Sequence, residues 1–273
     1  WGSARYLTSL NVVAPFSYEQ LDREELPGVD ALCLRVPMGM MSELEGGILP
    51  GEEWELSKGG IAYLRGRFYL LETDVSPIIA DFSDNNMVGV DIARTIGGAG
   101  TWMELGIYNL PDLAGWVSYS PSIEGADTVS REGGVRLTVG ADYSFTEKSY
   151  GFLEYHYSGP GEANSEDYGE AARKSIFIDG GMFLLGEHYA APGFSYQISP
   201  LLAGSLTGLV NLTDGSALIT PNLEYNVAQD VYLSAGANIS AGKPGSIDLD
   251  GMDYETEFGA YPDQYYLAFR LYY

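Results

Sequence analysis

The sequence predicts an all-β fold, a single antiparallel up-and-down barrel of about twelve strands crossing a lipid bilayer. Three observations predict it. Apolar residues recur with period two in segments of about ten residues, the length a tilted strand needs to span a bilayer. The connections between those segments alternate between short turns and long loops. No segment suits a spanning helix, which takes about 20 mostly apolar residues.

Composition narrows the classes further. The chain has 273 residues and a net charge of -24, from 14 basic and 38 acidic residues. That balance argues against nucleic acid as a partner, because phosphates need a basic footprint. Disorder is equally unsuited, since the chain is 13% aromatic and 45% hydrophobic. One cysteine, Cys33, excludes an internal disulfide and a cysteine-built metal site. The chain begins at Trp1 with neither Met nor a charged-then-apolar leader, so a removed leader and a longer chain both stay open. The longest stretch free of Asp, Glu, Lys and Arg runs from His188 to Thr213, but Pro192, Gly193, Pro200, Gly204 and Gly208 divide it into strands.

In chain order the expected strands are 4–14, 29–41, 61–73, 86–95, 101–109, 132–145, 149–158, 186–198, 201–212, 216–227, 230–241 and 262–273. Residues 1–273 form one domain on this reading. In the strand at 132–145, Val135, Leu137, Val139, Ala141, Tyr143 and Phe145 oppose Arg136, Thr138, Gly140, Asp142 and Ser144. At 216–227, Ala217, Ile219, Leu223, Tyr225 and Val227 oppose Thr220, Asn222, Glu224 and Asn226. At 230–241, Val231, Leu233, Ala235, Ala237 and Ile239 oppose Tyr232, Ser234, Gly236, Asn238 and Ser240. The last strand is the clearest, with Tyr265, Leu267, Phe269, Leu271 and Tyr273 on one face. Segment 42–60 fits least well, and a further hairpin there would raise the strand number to fourteen.

The long connections, 110–131, 159–185 and 241–261, all fall on one side. The other side has short turns at 96–100, 146–148, 199–200 and 228–230, and Thr213-Asp214-Gly215 is the one short link among the long ones. Tyr6, Trp102, Tyr143, Tyr157, Tyr225, Tyr265 and Tyr273 stand at strand ends, as an interfacial aromatic girdle requires. A soluble sandwich or lipocalin-like barrel would instead turn a Ser-, Gly-, Asn- and Thr-rich face to water with few Lys or Glu on it.

The last strand, through Tyr265, Leu267, Phe269, Leu271 and Tyr273, resembles the C-terminal assembly signal of bacterial outer-membrane β-barrel proteins. The strand-and-turn layout extends that resemblance, porin-like in its breadth, over nearly the whole chain. It implies location in the outer membrane, delivery by the barrel-assembly machinery, periplasmic termini, and contact with outer-membrane lipid and lipopolysaccharide.

Opposite the apolar faces, Arg65, Arg67, Glu104, Arg136, Asp142, Glu154, Glu224 and Arg270 are expected to line a lumen, with Arg35, Asp91 and Glu187 beside them. Charges of both signs either set a field across a water-filled pore or pair into a network that plugs it. Barrel width favours the pore, so a weakly cation-preferring channel for small hydrophilic solutes or ions is the expected function. The alternative is a structural barrel, a sheath or adhesive scaffold for partner proteins, and a homo-oligomer is open on either reading.

His156 and Ser158 share a strand face, the spacing of outer-membrane phospholipases, but they point inward and no Asn partner follows, so no catalytic residue is assigned. Asp248, Asp250, Asp253 and Glu255 lack the spacing of an EF-hand, and neither a metal nor a cofactor is expected. Segments 19–30, 43–55, 162–170 and 248–263 hold twenty of the thirty-eight acidic residues, which suits either solvated loops or cation bridges to lipopolysaccharide phosphates. Gly97-Gly98-Ala99-Gly100 reads as a turn, and the sequons at Asn211 and Asn238 lie within expected strands.

Overall fold

Period-two alternation is realised as thirteen strands in one antiparallel sheet. The computed structural model describes residues 2–12, 18, 29–51, 60–82, 85–110, 133–174, 177, 182–248 and 251–272. The strands are β1 (Leu32–Pro37), β2 (Ser42–Leu49), β3 (Ile61–Leu70), β4 (Thr73–Phe82), β5 (Asn85–Ile96) and β6 (Ala99–Tyr108). There follow β7 (Gly134–Thr146), β8 (Ser149–Ser158), β9 (His188–Ser199), β10 (Leu202–Asn211), β11 (Ala217–Ala228) and β12 (Val231–Ala241). A separate hairpin, β13 (Ser246–Asp248) and β14 (Gly251–Asp253), precedes β15 (Gln264–Leu271), which pairs with β12. Each strand lies beside its predecessor in the chain, so the sheet is a plain meander from β1 to β15. Among the described residues, no helix is long and apolar enough to cross a membrane.

The connections sort by end. Two-residue turns at 71–72, 97–98, 147–148, 200–201 and 229–230 lie at one end, together with Tyr272. The strand ends Leu49 and Ile61, Tyr108 and Gly134, Ser158 and His188, Asn211 and Ala217, and Ala241 and Gln264 lie at the other. Gly97 and Gly98 both adopt positive φ (59° and 86°), the conformation that closes a tight hairpin and that glycine adopts without a Cβ clash.

Three expectations are corrected here. Residues 4–12 of the expected first strand form no strand, and 13–14 lie outside the described residues. Segment 42–60 contains β2, and β4 was absent from the expected strands altogether. The count moves from twelve to thirteen, one strand lost and two gained.

The two faces differ sharply. On the outer face Leu34, Leu64, Leu153, Phe194, Leu206, Leu223 and Leu267 are exposed. Tyr265, Leu267, Phe269 and Leu271 of the last strand are 60–73% exposed, and Tyr273 lies outside the described residues. The inner face is polar in its middle and apolar towards the long-loop end. There Ile78, Ala80, Phe82, Met87 and Tyr108 pack with Leu10, Val12, Tyr168 and Leu185. A second cluster joins Tyr6, Leu7 and Leu184 to Tyr189, Leu209, Leu218 and Phe258. Burying Leu7, Leu10 and Val12 contributes roughly 1.5–3 kcal/mol each to holding that segment inside.

Candidate functional site

Residues 2–12 lie along the inner face of β5–β8, and backbone donors facing carboxylates fix them there. A chain segment outside any sheet or helix must find partners for its N–H groups when buried. Here strand carboxylates supply them. Glu154 accepts from the backbone N–H of Arg5 (2.5 Å), Tyr6 (3.0 Å) and Leu7 (2.7 Å), and from the Trp102 indole N–H (3.0 Å). Glu104 accepts from Ala4 N–H (2.8 Å), Ser9 N–H (2.7 Å) and the Thr8 hydroxyl (2.9 Å). Asp91 accepts from Ser3 through both its N–H (3.1 Å) and its hydroxyl (2.9 Å). Asp142 takes the Arg5 guanidinium at 2.8 Å, and Arg5 also lies 5.2 Å above the Trp102 ring. Arg136 donates to Thr8 O (3.0 Å) and to the Tyr108 hydroxyl (3.3 Å), which itself donates to Ser9 O (2.5 Å).

Two facing glycines let the segment come this close. Gly89 and Gly106 are cross-strand partners on β5 and β6. A Cβ on Gly106 would stand 2.9 Å from Ser9 O, and one on Gly89 would stand 2.4 Å from a Leu10 methyl. Side chains at these two positions would lift the segment off the wall.

The sequence-assigned inner residues fall into three separate groups. Glu104, Glu154, Arg136 and Asp142 gather around the N-terminal segment. Arg65 and Arg67 stand on β3 opposite β2, where Arg67 pairs with Glu43 and Glu45 takes Arg35 at 2.5 Å. Glu224 and Arg270 meet on the β11–β12–β15 wall at 3.8 Å, with Arg270 also donating to Ser234 at 3.0 Å. In the last two groups acids and bases thus pair locally, while in the first, among the described residues, only Asp142 takes a cation, Arg5. Between the segment and the short-turn end is a polar cavity of about 710 Å³ lined by Ser3, Arg5, Tyr69, Glu72, Arg94 and Thr101.

His156 is fully buried, its Nδ1 lies 2.8 Å from the Thr138 hydroxyl, and its Nε2 has no hydrogen-bond partner among the described residues. Ser158 is buried beside it on the same face. Asp250 of the acidic loop lies outside the described residues, among which no group of three metal-ligating side chains occurs.

Sequence reasoning missed a second carboxylate-centred knot at the long-loop end. Glu257 is fully buried and accepts from the Tyr189 hydroxyl (2.5 Å), Asn211 Nδ2 (2.7 Å) and Leu185 N–H (2.8 Å). Its own N–H donates to Asp214 at 2.7 Å, so one residue ties the 159–187, 212–216 and 242–263 links together. Burial pushes the Glu257 carboxyl up to about 7, against the lowering pull of the Tyr189 hydroxyl and Leu185 N–H, and Asp214 adds to the rise. No sequence motif announces such a knot, because its members come from three separate stretches, 185–189, 211–214 and 257. No protein-family model matches the chain, and no curated protein is similar to it.

Proposed function

We propose that the chain is an outer-membrane β-barrel acting as a gated channel for small hydrophilic solutes, closed at rest by its own N-terminal segment. The exposed apolar outer face supports a lipid environment, since a row such as Tyr265, Leu267, Phe269 and Leu271 is costly in water. Closing the sheet into a cylinder would put residues 2–12 within the lumen.

The observation that carries the gate is the way Glu104 and Glu154 hold that segment. Neither carboxylate faces a cation in its hydrogen bonds, and both are satisfied by N–H and O–H groups of residues 4–9 and by Trp102. Water can replace every one of those donors once the segment leaves, so release costs little electrostatically. Release also frees two ionised carboxylates to line the passage. The open state is therefore weakly cation-preferring, with the acidic loops adding to the preference at one mouth.

Planar-bilayer recording tests the reading. The full chain should be nearly silent, and a variant lacking residues 2–12 should conduct steadily with cation selectivity. Silence from both, with the variant still folded by its circular dichroism, would instead favour a structural barrel serving partner proteins.

A further inference from the structure

Thirteen strands in an antiparallel meander leave the first and last strands running in the same direction. β1 descends from the long-loop end to the short-turn end, and β15 does the same. Among the described residues each has one hydrogen-bonded strand neighbour, β2 for β1 and β12 for β15. Alternate residues of both strands therefore point N–H and C=O groups away from the sheet. In hydrocarbon such groups must be paired, and an open edge there is not sustainable.

We infer that the barrel closes through a parallel seam between β1 and β15, in contrast to the antiparallel closure of even-numbered bacterial barrels. This rests on the barrel reading above. The side-chain rows match across the seam. Leu32, Leu34 and Val36 continue the outward apolar row of Tyr265, Leu267, Phe269 and Leu271, while Cys33 and Arg35 take the inward parity of Tyr266, Ala268 and Arg270. β1 is six residues long and exposed along its whole length, so the seam can be no longer than the six-pair β1–β2 ladder beside it. A parallel ladder is also slightly weaker per residue than an antiparallel one. The wall is expected to separate there first.

Cys33, the chain's single cysteine, is an exposed native probe on β1. Adjacent strands lie about 4.8 Å apart, within disulfide reach. Cysteines introduced one at a time at Tyr266, Ala268 and Arg270 should include one that oxidises to an intrachain bond with Cys33. Tyr265→Cys, Leu267→Cys and Phe269→Cys, of opposite parity, should not. Direction follows from moving the probe with Cys33→Ser and Arg35→Cys. In a parallel seam the reactive partner shifts two residues toward the C-terminus, and in an antiparallel one it shifts two residues back. Disulfide-linked dimers, a backward shift, or no bond at any inward position would overturn the seam. Faster gel migration of the unheated sample separates the two readings. If that mobility is retained without a crosslink, the barrel stands and the seam fails; if it is lost, the barrel itself fails.

Discussion

Two stretches of the inner face, alike in sequence, sit in opposite surroundings. On β5–β8, Asp91, Glu104 and Glu154 are buried, and their oxygens are occupied by residues 3–9. On the β11–β12–β15 wall, Glu224 keeps 37% of its side chain exposed and meets Arg270 at 3.8 Å. Both walls alternate apolar and polar residues in the same way. Alternation reports which side of a sheet a residue takes; it is silent on what fills that side. A strand-free segment covers one wall and leaves the other more open, and that sets which carboxylates are occupied by residues 3–9.

The strongest way to break this comparison is to neutralise the covered wall. Gln at 104 and 154 replaces an accepting oxygen with an NH₂ donor aimed at N–H groups. Each buried group left unpaired costs about 1–3 kcal/mol, and Glu154 alone serves four N–H donors. Glu104→Gln/Glu154→Gln should therefore raise open probability by roughly 100-fold or more, since each ~1.4 kcal/mol is tenfold. Glu224→Gln should leave open probability unchanged in the same single-channel recordings. Equal opening by both variants would mean that residues 2–12 are not the gate.

A second test turns on pH at the long-loop end. The folded Glu257 carboxyl is raised to about 7 from an ordinary 4.5, mainly by burial. Between those values the folded state binds the extra proton, so stability falls as pH rises through that window. Below about 4.5 the contribution is complete, and above about 7 it is lost, by at most about 3 kcal/mol at 1.36 per unit. Tyr168 and Tyr254 nearby are themselves pushed upward by burial and stay neutral throughout. Amide exchange at Leu185, corrected for intrinsic rate, should show more protection at pH 5.5 than at 8.5. Glu257→Gln should flatten that difference, and a pH response unchanged in the variant would sink the assignment.

How much was legible follows from the same residues. The meander from β5 to β12 and β15 could be read because its outer face is apolar and its turns carry Gly97-Gly98 or Asp230. β4 could not, for two physical reasons. Its inner face is apolar as well, with Ile78, Ala80 and Phe82 buried, so period two is blurred. Its turn is Leu71-Glu72, both at positive φ (52° and 61°), where a turn-forming pair would be expected. The N-terminal segment misleads in the opposite direction: Tyr6, Leu10 and Val12 fall on one parity with Ser9 and Asn11 between them, as in a strand, yet residues 4–12 form none. Glu104 and Glu154 were legible as inner residues, but not as anchors, because their partners are backbone N–H groups 95 to 149 positions away. Leu71→Asn/Glu72→Gly should stabilise the hairpin by about 1 kcal/mol, by relieving left-handed strain at two non-glycine residues. A rise in Tm with unchanged gating would show that the turn is a structural weakness alone.

The smallest effect sharpens the comparison most finely, and it lies on the uncovered wall. Glu224 and Arg270 are 3.8 Å apart with partly exposed side chains, 37% and 21%. Such a pair is worth under about 1 kcal/mol, because water and salt screen it. Glu224→Gln should therefore shift stability by less than about 0.5 kcal/mol. It should also take one negative charge off the wall beside Arg270, which stays tied to Ser234 at 3.0 Å. On the gated-channel reading, the loss of that charge should be silent in the full-length protein, where no ions pass. In the variant lacking residues 2–12 it should reduce cation preference, and the reduction should shrink as salt rises, because the field reaches only about 10 Å at 0.1 M. Reversal potentials under a salt gradient, measured with and without Glu224→Gln in that background, check it. An unchanged reversal potential would place the Glu224–Arg270 pair away from the ion path and leave β11, β12 and β15 as wall only.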